Sequence, residues 1–241
     1  MTIIGKAVSP VVLQGIASSF TKTFITEDRY RVFLKGLGNT LLIAFFATLL
    51  GVLIGSLVAM VKTYHKQTGR LKILNAICEF YTLIIRGTPV VVQLLITYNI
   101  IFASSTHAVL VGIAAFGINS GAYVSEIVRA GINAVDIGQT EAGRSLGLSR
   151  GATMLHIVIP QAVKNVLPAI GNEFISLLKE TSVIGFLGVV DLTKAAERVT
   201  SRTMDAYFPY LSIAAVYLAL VYILNYFVKK LEKRLAKSER S

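Results

Sequence analysis

The sequence predicts an all-α polytopic membrane protein, and three observations predict it. Of its 241 residues 54% are apolar, with a mean hydropathy of +0.66. Residues 36–61, 87–125 and 206–228 contain no Asp, Glu, Lys or Arg, and each run is at least as long as the ~20 residues a helix needs to cross a bilayer. The charges gather between these runs, as for spans joined by wet loops and not for one soluble core.

Residues 1–35 form an external or interfacial segment. Ile4, Val8, Val12, Ile16, Phe20 and Phe24 recur every four residues, the pattern of an amphipathic helix lying in the interface, with Pro10 near its start or at a kink. Lys6 is the only early basic residue and no small-residue cleavage site follows, which argues against a secretory signal. The first span, about 36–61, holds Gly51 and Gly55 at a spacing that lets two helices approach closely. From Lys62 to Arg86, apolar Leu71, Leu74, Ala76, Ile77 and Phe80 interleave with Lys72, Asn75 and Glu79, as in a helix lying along the inner surface. Pro89 opens the second span, 88–102, as a first-turn proline. At about 22 Å that span is short for a lipid-facing helix, so protein should surround it.

The run 87–125 is too long for one helix, and Ala103-Ser104-Ser105-Thr106-His107 divides it. The third span follows at 109–130. Residues 131–164 are polar and Gly-rich and form a long loop, a length that usually carries function. The fourth span, 165–190, is interrupted by Glu173, Lys179 and Glu180; the fifth is 206–228, and 230–241 is a basic tail. Spans and loop together, 36–229, make one membrane domain. Five crossings put the termini on opposite sides. Lys62, Lys66, Arg70, Lys72 and Arg86 in one loop, and Lys229, Lys230, Lys233, Arg234, Lys237 and Arg240 in the tail, place both in the cytoplasm. The N-terminal segment and 191–205 are then outside, where Lys194, Arg198 and Arg202 are matched by three acids.

Several function classes are excluded or disfavoured. The net charge of +11 and pI near 9.8 report topology, since the basic residues are scattered among apolar spans and form no nucleic-acid patch. Cys78 is the only cysteine, which excludes an intrachain disulfide and a cysteine metal cluster. His65, His107 and His156 show no metal-ligand spacing. A membrane-embedded enzyme would need a nucleophile, an acid–base pair or a metal set on adjacent helices, and none is evident. No G-x-x-x-x-G-K-[ST] phosphate loop is present, so this chain does not hydrolyse ATP by itself.

Within the long loop the sequence reads Glu141-Ala142-Gly143-Arg144-Ser145-Leu146-Gly147, then, after nine residues, Ile157-Val158-Ile159-Pro160. This resembles the E-A-A-x3-G-x9-I-x-L-P loop of bacterial ATP-binding-cassette importer permeases, with Gly143 for the third Ala and Ile159 for Leu. Gly143 should loosen the helix by about 1 kcal/mol relative to Ala, and Ile159 keeps an apolar anchor. Gly38-Asn39-Thr40-Leu41, Arg86-Gly87-Thr88-Pro89, Tyr123 to Arg129, Gly138-Gln139-Thr140-Glu141 and Leu178-Lys179-Glu180-Thr181-Ser182 look like the polar-amino-acid branch, which handles histidine, arginine, glutamine, glutamate and opines. The resemblance covers nearly everything after residue 35. It implies a type I importer permease fold with five transmembrane helices in a bacterial cytoplasmic membrane. It also implies a second permease subunit, the same or different, separate ATPase subunits that hold ATP and Mg, and an external binding protein; no cofactor is expected on this chain.

Under that resemblance the short small-residue helix of the loop should press into a groove on the ATPase subunit, with Glu141, Ala142, Gly143, Arg144, Gly147, Leu148 and Arg150 at the contact. Ionisable groups inside a membrane are costly and are site candidates by default. Glu173, with Asn172 and Ser176, lies one to two turns beyond Pro168, where a carboxylate could receive an ammonium or cationic side chain. Asn119, Tyr123 and Glu126 share one helical face, and Gln93 and Thr97 add a polar face on the second span. Helix-to-helix hydrogen bonding is the alternative role for all of these residues. Adjacent Lys179 and Glu180 point about 100° apart and suit structural partnerships with other helices or a second subunit. A passive channel also has polar helices, but has no need of a motor-docking loop.

Overall fold

In the computed structural model, which describes residues 10–237, the chain is helical almost throughout. Ile4 and Val8 of the N-terminal periodicity, and the tail beyond residue 237, lie outside the described residues. Helix α1 (Pro10–Phe20) leads through a π-helical turn, Thr21–Ile25, to α2 (Tyr30–Thr68). The Phe24 ring packs at a tilt against Phe20 and Phe33 and edge-on against Phe208, which ties the segment to α2 and to the start of the last helix.

Helix α2 has 39 residues, about 58 Å at the usual rise, so it outruns a hydrocarbon core of about 30 Å at both ends. It stops at Gly69, whose φ of 68° is the left-handed conformation that closes a helix. Its long partner is α5 (Ala108–Asn133). A Cβ on Gly51 would stand 2.8 Å from the Ser120 side chain, and one on Gly55 2.7 Å from the Gly121 carbonyl oxygen. The glycine pair therefore does what its spacing predicts.

The segment expected to lie along the inner surface forms the end of α2 and a separate helix, α3 (Lys72–Gly87), which buries Cys78 and Thr82. At Thr88-Pro89 the chain turns by 111° into α4 (Val90–Ile96) and a π-helical turn, Thr97–Ile101. Pro89 is extended and precedes the helix, where its missing N–H costs nothing. Leu94 of α4 enters the central core with Ile43, Ala47, Phe116, Leu177 and Ile184.

Residues 131–164, read as a polar loop, are largely helical. They comprise the end of α5, α6 (Ile137–Ser145), α7 (Arg150–Thr153), a π-helical turn at Met154–Val158 and the start of α8 (Ile159–Glu180). Asp136 caps α6 by accepting from the Gly138 N–H at 2.6 Å, and Ser149 caps α7 by accepting from the Ala152 N–H at 3.2 Å. Helix α8 thus begins six residues before the expected fourth span and ends at Glu180; a 3₁₀ segment, Thr181–Leu187, continues it.

The stretch predicted to be a charge-balanced outer loop is mainly a helix, α9 (Leu192–Thr203). Its acids have different tasks. Asp191 is fully buried and caps α9 by accepting from the Thr193 and Lys194 N–H groups, both at 2.9 Å; burial pushes its carboxyl up while those bonds pull it down. Glu197 pairs with Lys194, and Asp205 caps α10 (Tyr207–Lys237). The Gly38-Asn39-Thr40 motif meets this turn: Asn39 Nδ2 donates to the Val190 carbonyl at 2.9 Å, and Thr40 Oγ1 accepts from the Leu192 N–H at 3.2 Å.

Helices α2, α5 and α10 are long and apolar enough to cross a membrane, and the bent pair α3–α4 makes a fourth crossing if it counts as one span. Helix α8 carries Lys164, Glu173, Lys179 and Glu180 and is not among these.

Candidate functional site

The eight polar residues singled out in the spans separate into three groups. Gln93, Thr97 and Asn119 belong to one hydrogen-bonded bracket. Gln93 Nε2 donates to the Ile85 carbonyl at 2.7 Å and to Thr88 Oγ1 at 2.8 Å, while its Oε1 accepts from Asn119 Nδ2 at 2.9 Å. Thr97 Oγ1 donates to the Gln93 carbonyl at 2.7 Å. The 111° turn frees carbonyls at the end of α3, and an amide with donors and an acceptor can satisfy them while reaching α5. In this structure these three side chains bond the second span to α3 and α5 and within itself.

Tyr123 and Glu126 lie further along α5. The Arg86 guanidinium sits 5.6 Å from the centre of the Tyr123 ring, within cation–π range. Glu126 is held by two cations: Lys62 Nζ at 3.1 Å from Oε1, and Arg129, whose Nε donates to Oε2 at 3.0 Å. Lys62 was not expected at a site. It is only 6% exposed, donates to Thr82 Oγ1 at 3.0 Å and pairs with Glu79 at 3.3 Å, so one ammonium ties α2 to both α3 and α5.

Glu173, Asn172 and Ser176 form the third group, on α8. Ser120 Oγ donates to Glu173 Oε1 at 2.9 Å, across the α5–α8 contact. Glu173 and Ser176 are half-buried and Asn172 is exposed. Ser120 carried no signal in the sequence, because it lies one residue off the Asn119–Tyr123–Glu126 stripe. Lys179 lines a separate cavity of about 360 Å³ with Ser182, Thr193, Tyr210 and Tyr217. Among the described residues no group of three or more His, Cys, Asp or Glu could hold a metal ion.

The motif loop folds as a small unit against its own chain. A Cβ on Gly143 would lie 2.7 Å from Ile157 Cδ1 and 2.8 Å from Thr153 Cγ2, so Gly143 lets α6 sit directly on residues 153–157. Gly143, expected at the contact with the ATPase subunit, is buried inside the unit, whereas Glu141, Ala142, Arg144, Gly147 and Arg150 are exposed and Leu148 is half-buried. Gly147, with φ of 83°, ends α6, and Arg144 folds back to donate to the Leu148 carbonyl at 2.6 Å. Arg150 reaches the Gln67 carbonyl at the end of α2 at 3.5 Å. Two apolar side chains missed in the sequence stand out from this surface, Ile137 at 74% exposure and Leu146 at 82%. Ile137 is one turn before Glu141 and shares its face.

A substitution follows from this packing. Gly143→Ala, which restores the common family residue and should gain about 1 kcal/mol of helix propensity, is expected instead to destabilise the loop by about 1–2 kcal/mol through crowding against the buried Thr153. Limited proteolysis between residues 134 and 150 reads it out. Slower cleavage than in the parent chain would show that the neighbours yield and propensity wins; Ile157→Val in the same chain should relieve part of the cost.

Residues 47–237 match the family described as binding-protein-dependent transport system inner membrane component. A putative glutamine transport system permease protein of Rickettsia typhi is 38% identical over 205 residues, covering 84% of this chain and 92% of the relative. The arginine transport system permease protein of Bacillus subtilis is 36% identical over 209 residues, covering 86% and 93%. A solved amino acid ABC transporter with histidines matches with a TM-score of 0.80 at 41% identity, over 88% of this chain and 98% of that one. A methionine ABC transporter in an inward-facing conformation, at 17% identity and a TM-score of 0.73, shares the fold. With its apolar helices, its folded loop motif and these matches over most of its length, the chain belongs to the family of binding-protein-dependent transport system inner membrane components, and is a multi-pass membrane permease.

Proposed function

We propose that this chain is the permease subunit of an ATP-driven importer for polar or charged L-amino acids, with ATP and Mg held by a separate ATPase subunit. A second permease, identical or related, would complete the pathway, and an external binding protein would deliver the substrate. Five crossings, with α8 as the fourth and the α6 end cytoplasmic, suit this role. Arg144 and Arg150 border a cavity with Gln67 at the end of α2, next in the chain to Lys66, and basic residues at one end of the bundle suit the side kept inside.

The observation that carries the reading is the continuity from the exposed loop to the half-buried carboxylate of Glu173. Helix α6 presents Ile137, Glu141 and Leu146 outward and is seated through Gly143 on residues 153–157. From Arg150 to Glu180 the chain is helical without a break, and Glu173 sits near the far end of that rod against α5. A push on α6 by a nucleotide-driven partner would therefore move as a rigid body into the helix that bears Glu173. The amino-acid class is supported by the names of the relatives, glutamine and arginine permeases among them.

The test is reconstitution with the ATPase subunit and binding protein in proteoliposomes. ATP-dependent uptake of glutamine, arginine, histidine or glutamate is expected; uptake that ignores ATP, or failure to capture any ATPase subunit, would refute the reading. Within that assay, Glu173→Gln should lower uptake of cationic amino acids about tenfold more than that of neutral ones, the loss of one charged contact. An unchanged specificity profile would remove Glu173 from the substrate path.

A further inference from the structure

Two cavities follow one another along the groove between α3 and α5. The inner one, about 570 Å³, is lined by Lys62, His65, Lys66, Asn75, Glu79, Glu126 and Arg129. The next, about 350 Å³, is lined by Glu79, Thr82, Leu83, Arg86 and Glu126, with Gly87 at its end. Glu79 and Glu126 border both, so the wall between the cavities is the place where these two carboxylates meet Lys62. Bonds to Thr82 at 3.0 Å, Glu126 at 3.1 Å and Glu79 at 3.3 Å hold the Lys62 ammonium there. Beyond the wall, Arg86 on Tyr123 and the Gln93–Asn119 pair continue the polar groove, and Ser120–Glu173 begins one residue away on α5.

We infer that Lys62, with Glu79 and Glu126, is an inner gate on the translocation path: a charge-paired partition that closes the α3–α5 groove and opens when α3 moves relative to α2 and α5. This rests on the transport reading above. Lys62 gates by holding helices together and need not touch substrate, so it is a positioning residue. The chemistry suits a cargo that carries an ammonium group. Once α3 shifts, Glu79 is released and can receive that ammonium while Lys62 stays paired with Glu126, whereas a closed wall of paired charges offers it nothing. Lys62 is 6% exposed but Glu79 has 59% of its side chain exposed, so the latch is buried at its cation and can be released from its α3 side. A movement of α3 takes Thr82 and Glu79 from Lys62 and leaves it Glu126; a buried ammonium that loses bonded partners is strongly penalised, which makes the closed and open arrangements distinct states and not a continuum.

The experiment uses the reconstituted complex, preloaded with labelled amino acid and held without ATP. Lys62→Met should raise passive efflux about tenfold over the parent, a tenfold shift toward the open state, and should raise the ATP hydrolysed per substrate imported; Lys62→Arg should restore both toward parent values. Glu79→Gln, at an exposed position where folding is not at stake, should raise efflux in the same direction. If the parent complex imports with ATP but Lys62→Met and Glu79→Gln, both assembled with the ATPase subunit, neither leak nor uncouple, the gate is refuted while the transport reading stands. If the parent shows no ATP-driven import, the transport reading itself has failed. Should Lys62→Met not assemble, Glu79→Gln decides alone, and parent-level efflux in that variant refutes the gate.

Discussion

Gly55→Ala should lower the unfolding temperature of the detergent-purified subunit by about 5–10 °C, while Gly38→Ala leaves it level or slightly higher. The two positions lie on the same helix and differ only in what stands beside them. A Cβ at residue 55 would be 2.7 Å from the Gly121 carbonyl oxygen, 2.7 Å from Val124 Cβ and 2.8 Å from the Ser125 N, whereas one at residue 38 meets nothing within 4 Å. Two of the three atoms facing Gly55 are backbone, so no rotamer change can clear them; α5 itself must move. The contact is reciprocal, because Gly121 and Gly117 of α5 receive Ile54 and Leu50 of α2 in turn. Displacing one helix therefore loosens the whole seam. Overpacking of this kind costs roughly 2–3 kcal/mol, and inside a bilayer little hydrophobic gain offsets it, since lipid tails solvate the separated faces as well as protein does. About 2–4 °C per kcal/mol for a chain of this size gives the stated range. At residue 38 the same substitution adds helix propensity, up to about 1 kcal/mol. Equal unfolding temperatures for Gly55→Ala and the parent would mean that α2 and α5 are not packed at this distance.

Gly51 and Gly55 thus stated the closeness of a helix contact in the sequence but not its partner, since a small-residue stripe fits any helix that can reach it. The stripe also contained more than was read from it. Gly51, Gly55, Ala59 and Lys62 fall on one helical face at spacings of four, four and three, and all four are buried. Treating Lys62 as the end of a charge-free run hid that it continues the packing face. The motif around Glu141 is legible because its spacing is specific, yet it does not show that Gly143 faces Thr153 and Ile157 within the chain, because a motif records which residues occur and not which way they face. Hydropathy read 131–164 as loop since its helices are short and polar; the caps Asp136 and Ser149 were the local signals that helices start there. Gln93 and Asn119 are polar for a reason no one-dimensional pattern contains. The turn at Thr88-Pro89 strands carbonyls on α3, and only the folded geometry shows which amide reaches them.

The second large effect is expected at Glu141. Reversing its charge, Glu141→Lys, should leave the subunit inserted, folded and able to bind the external receptor, yet reduce ATP-driven uptake about tenfold to a hundredfold while hydrolysis by the ATPase subunit continues. The side chain is exposed and has no packing role within the chain, so the stability of α6, fixed by Asp136 at its start and Gly143 at its base, should be untouched. Under the proposed function, what changes is the surface offered to the ATPase subunit: a carboxylate flanked by the apolar side chains of Ile137 and Leu146 suits a socket with a cation and an apolar floor. Putting like charges together there costs roughly 1.4–2.8 kcal/mol, enough to disengage the loop for most of the cycle. Ile137→Ala and Leu146→Ala give the control, since lost apolar anchors should weaken capture of the ATPase subunit without altering its salt dependence, whereas Glu141→Lys should alter both. The ratio of ATP consumed to substrate imported is the decisive measurement. A parent-like ratio in Glu141→Lys would mean that α6 does not carry the stroke, and the unbroken helix from Arg150 to Glu180 would then need another purpose.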